Sequence, residues 1–315
     1  MNKIKENLSV KSLLKNWRFA KNFRQCVGAV FSVSIIFCMA LCLTSCGEDG
    51  VERAGGSTEE TESIAITDKV VAGVSQKGPY ISGSAVHLYG LDSKTLNQSG
   101  SVFTGKIKSD KGDFSISGVN LSSQYALLEA NGYYRNEVTG EKSKGPITLY
   151  AITDLSDRSN VNINLLTHLE FERVRKLVEG GMSVTAAKAQ TEEEIFASFY
   201  IDGKLETFED LNIFKDTEGS DALIALSIIF QGNRSEADLV EILDKYGNDI
   251  AEDGQWDDEA TKALMADWAF ETSLTMLRSR VEKWGFGEVP LFEKYTSNFC
   301  NSAYVFEECN KSIKD

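Results

Sequence analysis

Histidine, proline and cysteine are scarce in this 315-residue sequence, at two, three and six copies. The two histidines, His87 and His168, lie far apart and neither belongs to an HExxH spacing, so the usual helical zinc motif is excluded. Beyond Cys46 only Cys300 and Cys309 remain, without a CxxC or a nearby histidine, which argues against dithiol redox chemistry and zinc. Past the same point there is no GxSxG, SxxK or GxxxxGK[ST] segment, so nucleophile-elbow hydrolysis and P-loop phosphoryl transfer lack their parts. Basic residues are also in deficit, 33 against 47 acids. A field of that sign repels phosphate backbones and anionic lipid, so nucleic acid is not expected as a partner.

What is present begins with an apolar run of 17 residues, 27–43, preceded by seven Lys and Arg. Seventeen is near the lower limit for a membrane-spanning helix. Against that reading, Ser32 and Ser34 interrupt the run, small residues close it, and acidic Glu48 and Asp49 follow where a stop-transfer segment carries Lys or Arg. Leu43-Thr44-Ser45-Cys46 resembles a bacterial lipobox. The resemblance implies cleavage before Cys46 and diacylation of its thiol, which places the protein in the cell envelope with its N-terminal lipid as the membrane contact. Loss of residues 1–45 takes the formal net charge from −14 to about −20. Cys300 and Cys309, an even pair in an exported chain, are expected to form one disulfide.

Residues 46–67 are rich in Gly, Ser, Thr and Glu and lack apolar periodicity, which predicts a flexible acidic tether. From 68 to 164 the pattern changes to short β-type runs separated by turn residues: 70–74, 85–89, 102–107, 114–116, 125–130, 147–152 and 161–163. This spacing predicts an antiparallel β-sandwich. Ser109-Asp110-Lys111-Gly112-Asp113 reads as its clearest hairpin, with Ile107 and Phe114 directed into one core. From 165 to 315 helical spacing takes over, predicting an all-α bundle and a multidomain α+β chain. One helix is expected through Leu165 to Val178, a second capped by Ser183, a third ending at Gly232, a fourth opened by the box Ser235-Glu236-Ala237-Asp238, and a fifth from about Asp257 to Trp284.

Three segments carry a family resemblance: Gly83-Ser84-Ala85-Val86-His87-Leu88, then Thr104 to Ile116 with the Asp110-Lys111-Gly112-Asp113 turn, then Tyr125 to Tyr133 ending in Gly132-Tyr133. In their order they resemble a carboxypeptidase-regulatory-like domain, over about a third of the chain, with one residue inserted in the first strand and Ser109 where the family has Thr. The resemblance implies a small transthyretin-like sandwich, an accessory module without catalysis of its own. The following Asn162-Ile163-Asn164-Leu165-Leu166-Thr167-His168-Leu169 resembles the junction found in uncharacterised lipoproteins of fibre-degrading gut bacteria. That implies a surface lipoprotein in a plant-fibre habitat.

Candidate chemistry is thin. His168 and Glu172, four apart, share a helix face, but a junction histidine is the simpler reading. Acidic runs at 192–194, 216–218, 248–249 and 257–259 stand beside expected helix starts, where carboxylates complement the helix dipole. Paired carboxylates for glycoside hydrolysis are the alternative reading of the same runs. Neither 110–113 nor 252–257 has the ligand count of an EF-hand, so no metal or other cofactor is expected. The set singled out for ligand contact is Tyr133, Tyr134, Arg135 and Asn136, able to stack a sugar and hydrogen-bond its hydroxyls if the rings are exposed, or else to complete the core. The sequence thus points to a non-catalytic binding or scaffold module at the cell surface. Its expected partner is a surface polysaccharide or an envelope protein.

Overall fold

A computed structural model describes residues 63–303, all of which fall in one contact unit, Glu60–Asp315. Cys46, Cys309 and the predicted signal segment lie outside the described residues, so neither lipidation nor the expected disulfide is described. Cys300 is buried on the last helix.

Seven strands form where β-type runs occur: β1 Ile66–Gln76, β2 Ala85–Leu91, β3 Gln98–Lys106, β4 Asp113–Leu121, β5 Tyr125–Gly132, β6 Ile147–Asp154 and β7 Ile163–Asn164. β1 starts at Ile66, two residues inside the stretch read as tether. One sheet has the order β3-β2-β5-β6 and is antiparallel throughout. The other is β4-β1-β7, antiparallel at β1–β4 and parallel at β1–β7. Period-two alternation sends Val86 and Leu88 of β2, Leu128 and Ala130 of β5 and Leu149 and Ala151 of β6 into a core shared with Val71, Phe114 and Ile116 of the smaller sheet.

The 109–113 segment turns as expected and sends Ile107 and Phe114 inward, but it does not make a hairpin. β3 pairs only with β2, and β4 pairs with β1, so the turn carries the chain from one sheet to the other. The cause is visible at Gly112, with φ +91°, whose carbonyl accepts from the Ser75 amide at 2.9 Å. This close approach fastens the turn to β1 instead of continuing a β3–β4 ladder.

The helices are α1 Leu165–Leu169, α2 Phe171–Glu179, α3 Val184–Ser198, α4 Glu218–Gln231, α5 Glu236–Asp253, α6 Glu259–Glu271, α7 Leu274–Glu282 and α8 Glu293–Ala303. A 3₁₀ turn spans Phe208–Asp210. Ser183 caps α3, and Ser235 with Asp238 forms the capping box of α5. Two expected helices are each divided. The first breaks at Glu170, a buried residue whose carboxylate is drawn to a lysine on α3. The fifth breaks at Thr272, which is extended, after which the Ser273 hydroxyl accepts from the Met276 amide and starts α7. α4 is buried around nearly its whole circumference, which marks it as the central helix.

Sheets and helices share one hydrophobic cluster, joined by buried polar contacts. Lys77 Nζ donates to Glu137 Oε2 at 2.8 Å and to the Ser227 carbonyl of α4 at 2.9 Å, and Ser227 Oγ lies 2.5 Å from Glu137 Oε1. Burial lowers the Lys77 ammonium below its ordinary range, against the pull of Glu137. Asn162 Nδ2 and Asn164 Nδ2 donate to the carbonyls of Leu211 and Phe208, while Asn164 Oδ1 caps α1. The asparagines of the Asn-Ile-Asn junction therefore fasten the 208–211 segment to the end of the sheet.

A Cβ at residue 112 would lie 2.3 Å from the Ser75 carbonyl oxygen, whereas one at Gly100, at a similar φ of +92°, would meet nothing within 4 Å. Gly100→Ala therefore reports left-handed strain alone, about 1 kcal/mol. Gly112→Ala should cost at least about 1 kcal/mol more, read from the shift of the urea-unfolding midpoint.

Candidate functional site

The outer face of the four-stranded sheet is set by register. Val102, Tyr89, Leu127 and Ile152 form one cross-strand row, and Thr104, His87, Glu129 and Tyr150 the next. β5 is apolar on both faces, with Leu128 fully buried inside and Leu127 only 8% exposed outside, so its outer face also needs a cover. α2 and α3 supply that cover over the β5–β6 side through Val174, Val178, Val184 and Ala187. Val102, 52% exposed on edge strand β3, shows that the cover stops short of the sheet edge.

At this step between covered and open sheet lies a cleft of about 180 Å³. Leu91, Leu127 and Ile152 of the sheet line it on one side, and Phe171 and Arg175, one turn apart on α2, on another. Leu96 and Asn97 of the β2–β3 connection and Gln98, the first residue of β3, complete the lining. Leu96 is a buried non-glycine residue at φ +54°, a strained conformation that concentrates at ligand sites. Its turn is held by Asp92, whose Oδ1 accepts from the amides of Lys94 and Thr95 and from the Thr95 hydroxyl. Those bonds pull the Asp92 carboxyl below its usual range. The Phe171 ring stacks on Tyr150 at 5.0 Å, and His168 stacks on Tyr150 at 5.5 Å.

Behind the cleft is a buried charged cluster. Lys188 Nζ on α3 donates to the Ile152 carbonyl at 2.7 Å and to Glu170 Oε1 at 2.6 Å, and lies 3.1 Å from Glu209 Oε2. Glu192 accepts from the Phe208 amide at 3.0 Å, and Arg158 stands 3.7 Å from Glu209. Burial opposes the Lys188 charge, but Glu170 and Glu209 together outweigh it and hold the ammonium above its ordinary range. Glu170 Oε2 is buried without a donor. Withdrawal from water pushes the Glu170 carboxyl up to about 8 despite Lys188, and raises Glu192 for the same reason. His168 Nδ1 is likewise buried without a partner, and desolvation holds the imidazole down at about 4.

The four residues chosen from sequence do not present one surface. Tyr133 is 39% exposed, with Lys142 Nζ 4.1 Å from its ring centroid. Tyr134 is fully buried, its hydroxyl donating to Gln231 Oε1 of α4 at 2.7 Å. Arg135 pairs with Asp110 at 3.0 Å, and the buried Asn136 accepts from the amides of Val138 and Thr139 in a turn of its own backbone. The acidic runs are tied into the helices: Glu194 receives two bonds from Arg173, Thr217 and Asp258 cap α4 and α6, and Asp249 accepts from the Asp257 amide. Among the described residues no group of three or more His, Cys, Asp or Glu is suited to a metal ion.

Sequence reading missed the cleft, although two signals for it existed. The doubly apolar Tyr125-Ala126-Leu127-Leu128 announces a strand covered on both faces, and Phe171 and Arg175 are spaced to share a helix face. Comparison with protein-family models, with curated proteins and with solved structures finds no match to this chain.

The cluster makes stability depend on pH in two opposed ways. A Glu170 carboxyl raised from 4.5 to about 8 in the fold makes the folded state hold a proton that the unfolded chain has lost, so stability falls as pH rises from about 4.5 to 8. For His168, lowered from 6.5 to about 4, the unfolded chain holds the extra proton, so stability is present above 6.5 and lost as pH falls toward 4. Denaturant titrations should show a decline from pH 6.5 to 8 that Glu170→Gln reduces; an unchanged slope in that variant would assign the decline to other groups.

Proposed function

We propose that this chain is an exported lipoprotein, anchored through Cys46, whose folded part is a transthyretin-like β-sandwich with an α-helical domain and serves as a non-catalytic binding module of the cell envelope. The lipobox resemblance and the acidic balance support the anchor, since an acidic chain has no electrostatic attraction to an anionic membrane surface. The shared core of the two sheets and the order of the family-like segments support the sandwich reading. No transmembrane candidate occurs among the helices of the described residues.

The observation that carries the binding reading is the cleft beside α2. Its wall is locked, through Tyr150 stacking and the Arg173–Glu194 pair, and its far side contains a left-handed leucine held by a dedicated turn. Such preorganisation favours ligand capture. The lining has apolar side chains, two amides and one guanidinium, and no carboxylate, histidine or hydroxyl, so it is built for holding and lacks an acid–base pair. Tyr133 supports polysaccharide contact as a second reading, because it is the exposed ring of its segment and carries a cation over its face.

Two measurements test these points. Mass spectrometry of the protein expressed in a bacterium with lipoprotein processing should give a diacylated N-terminal Cys46, and an intact Met1 terminus would contradict it. Methyl-resolved NMR during a screen of small ligands should show saturable shifts at Leu91, Leu96, Leu127 and Ile152. Phe171→Ala should weaken that response about tenfold or more by removing one wall. Binding on insoluble glucan that is lost in Tyr133→Ala, with the cleft methyls silent, would favour the second reading.

A further inference from the structure

Resting on the reading of the cleft as a binding site, we infer that its ligand is a small organic carboxylate with a short apolar body, its charge received by Arg175. The chain carries a formal charge of −14, yet the residues lining this cleft include one cation and no acid. Against that background, a cleft without a carboxylate favours an anion and disfavours a cation.

Arg175 is available for such a role. Its partner in the structure is Glu172, one turn away at 3.5 Å, and the two side chains are 45% and 44% exposed. An ion pair of that length and exposure is weak, so a ligand carboxylate can replace it with shorter, charge-assisted bonds. The guanidinium carbon lies 5.5 Å from the Phe171 ring centroid, which braces it over the wall of the cleft. Asp92, the acid on the adjoining turn, has its carboxylate engaged by Lys94 and Thr95.

The body of the ligand follows from the rest of the lining. Leu91, Leu96, Leu127, Ile152 and Phe171 are apolar, and Asn97 and Gln98 add two amide groups. A saccharide ring would bring more hydroxyls than these groups can satisfy, at a desolvation cost. A branched or aromatic hydrocarbon body has no such debt. At about 180 Å³ the space lies below the roughly 300–1,000 Å³ of sites for drug-sized ligands, which suits a single ring or a short branched chain.

The test is a pair of titrations at pH 7, by NMR or calorimetry, using phenylacetate and 3-methylbutanoate against their uncharged amides. The carboxylates should bind about tenfold or more tightly than the amides, the worth of one charge-assisted contact. Arg175→Gln should remove most of the advantage of the carboxylates over the amides, and its exposed position leaves the fold intact. Equal binding of acids and amides, insensitive to Arg175→Gln, would overturn the anion assignment and leave the cleft standing as a neutral-ligand site. Silence of the cleft methyls toward both series would overturn the assignment and the binding reading together.

Discussion

Lys188 joins the elements on which the cleft depends. From α3 its ammonium reaches the backbone of β6 at Ile152 and the carboxylate of Glu170 at the α1–α2 break. Ile152 lines the cleft, and Glu170 directly precedes Phe171, its wall. One cation thus sets the sheet, the helix break and the wall in fixed relation. A buried cation is tolerated only when its donors and charge are matched, and here Ile152, Glu170 and Glu209 together match it. The burial that comes with this arrangement, working against the pull of Lys188, holds the proton on the Glu170 carboxyl to unusually high pH and gives the fold its alkaline sensitivity.

The strands and helices are held to each other by more than apolar contact. Lys77, Glu137 and Ser227 form a fully buried polar joint between the β1–β2 connection, the β5–β6 connection and α4, and Tyr134 adds a hydroxyl bond to Gln231 one turn further along. Losing one partner of such a joint leaves a buried charge or donor uncompensated, which costs more than the joint itself contributes. The arrangement explains why Tyr134 and Asn136, chosen as ligand contacts, are spent inside the protein. Adjacent strand-like residues face opposite ways, so Tyr133 goes to solvent and Tyr134 to the helices.

Much of the fold was legible because its signals are local. Alternating runs located the strands, and Ser183, Ser235 with Asp238, and Gly232 marked helix ends through bonds made within a turn of chain. What failed was non-local. The Ser109–Asp113 turn has hairpin chemistry, but its strands separate because Gly112 lies against Ser75, a contact no local pattern encodes. Glu170, at the α1–α2 boundary, is buried against Lys188, 18 residues away, a pairing that helical periodicity does not announce. The cleft escaped notice for the same reason: Leu127, Ile152 and Phe171 each read as ordinary core, and only the sheet register with the placement of α2 makes them a lining.

The central claim is that α2, fixed to β6 through Lys188, makes a cleft that accepts a small ligand. The crystal structure of the protein soaked with phenylacetate tests it most directly. The phenyl ring is expected between Phe171 and Leu127, with the carboxylate on Arg175. An empty cleft at saturating ligand, or phenylacetate seated elsewhere on the protein, would contradict it.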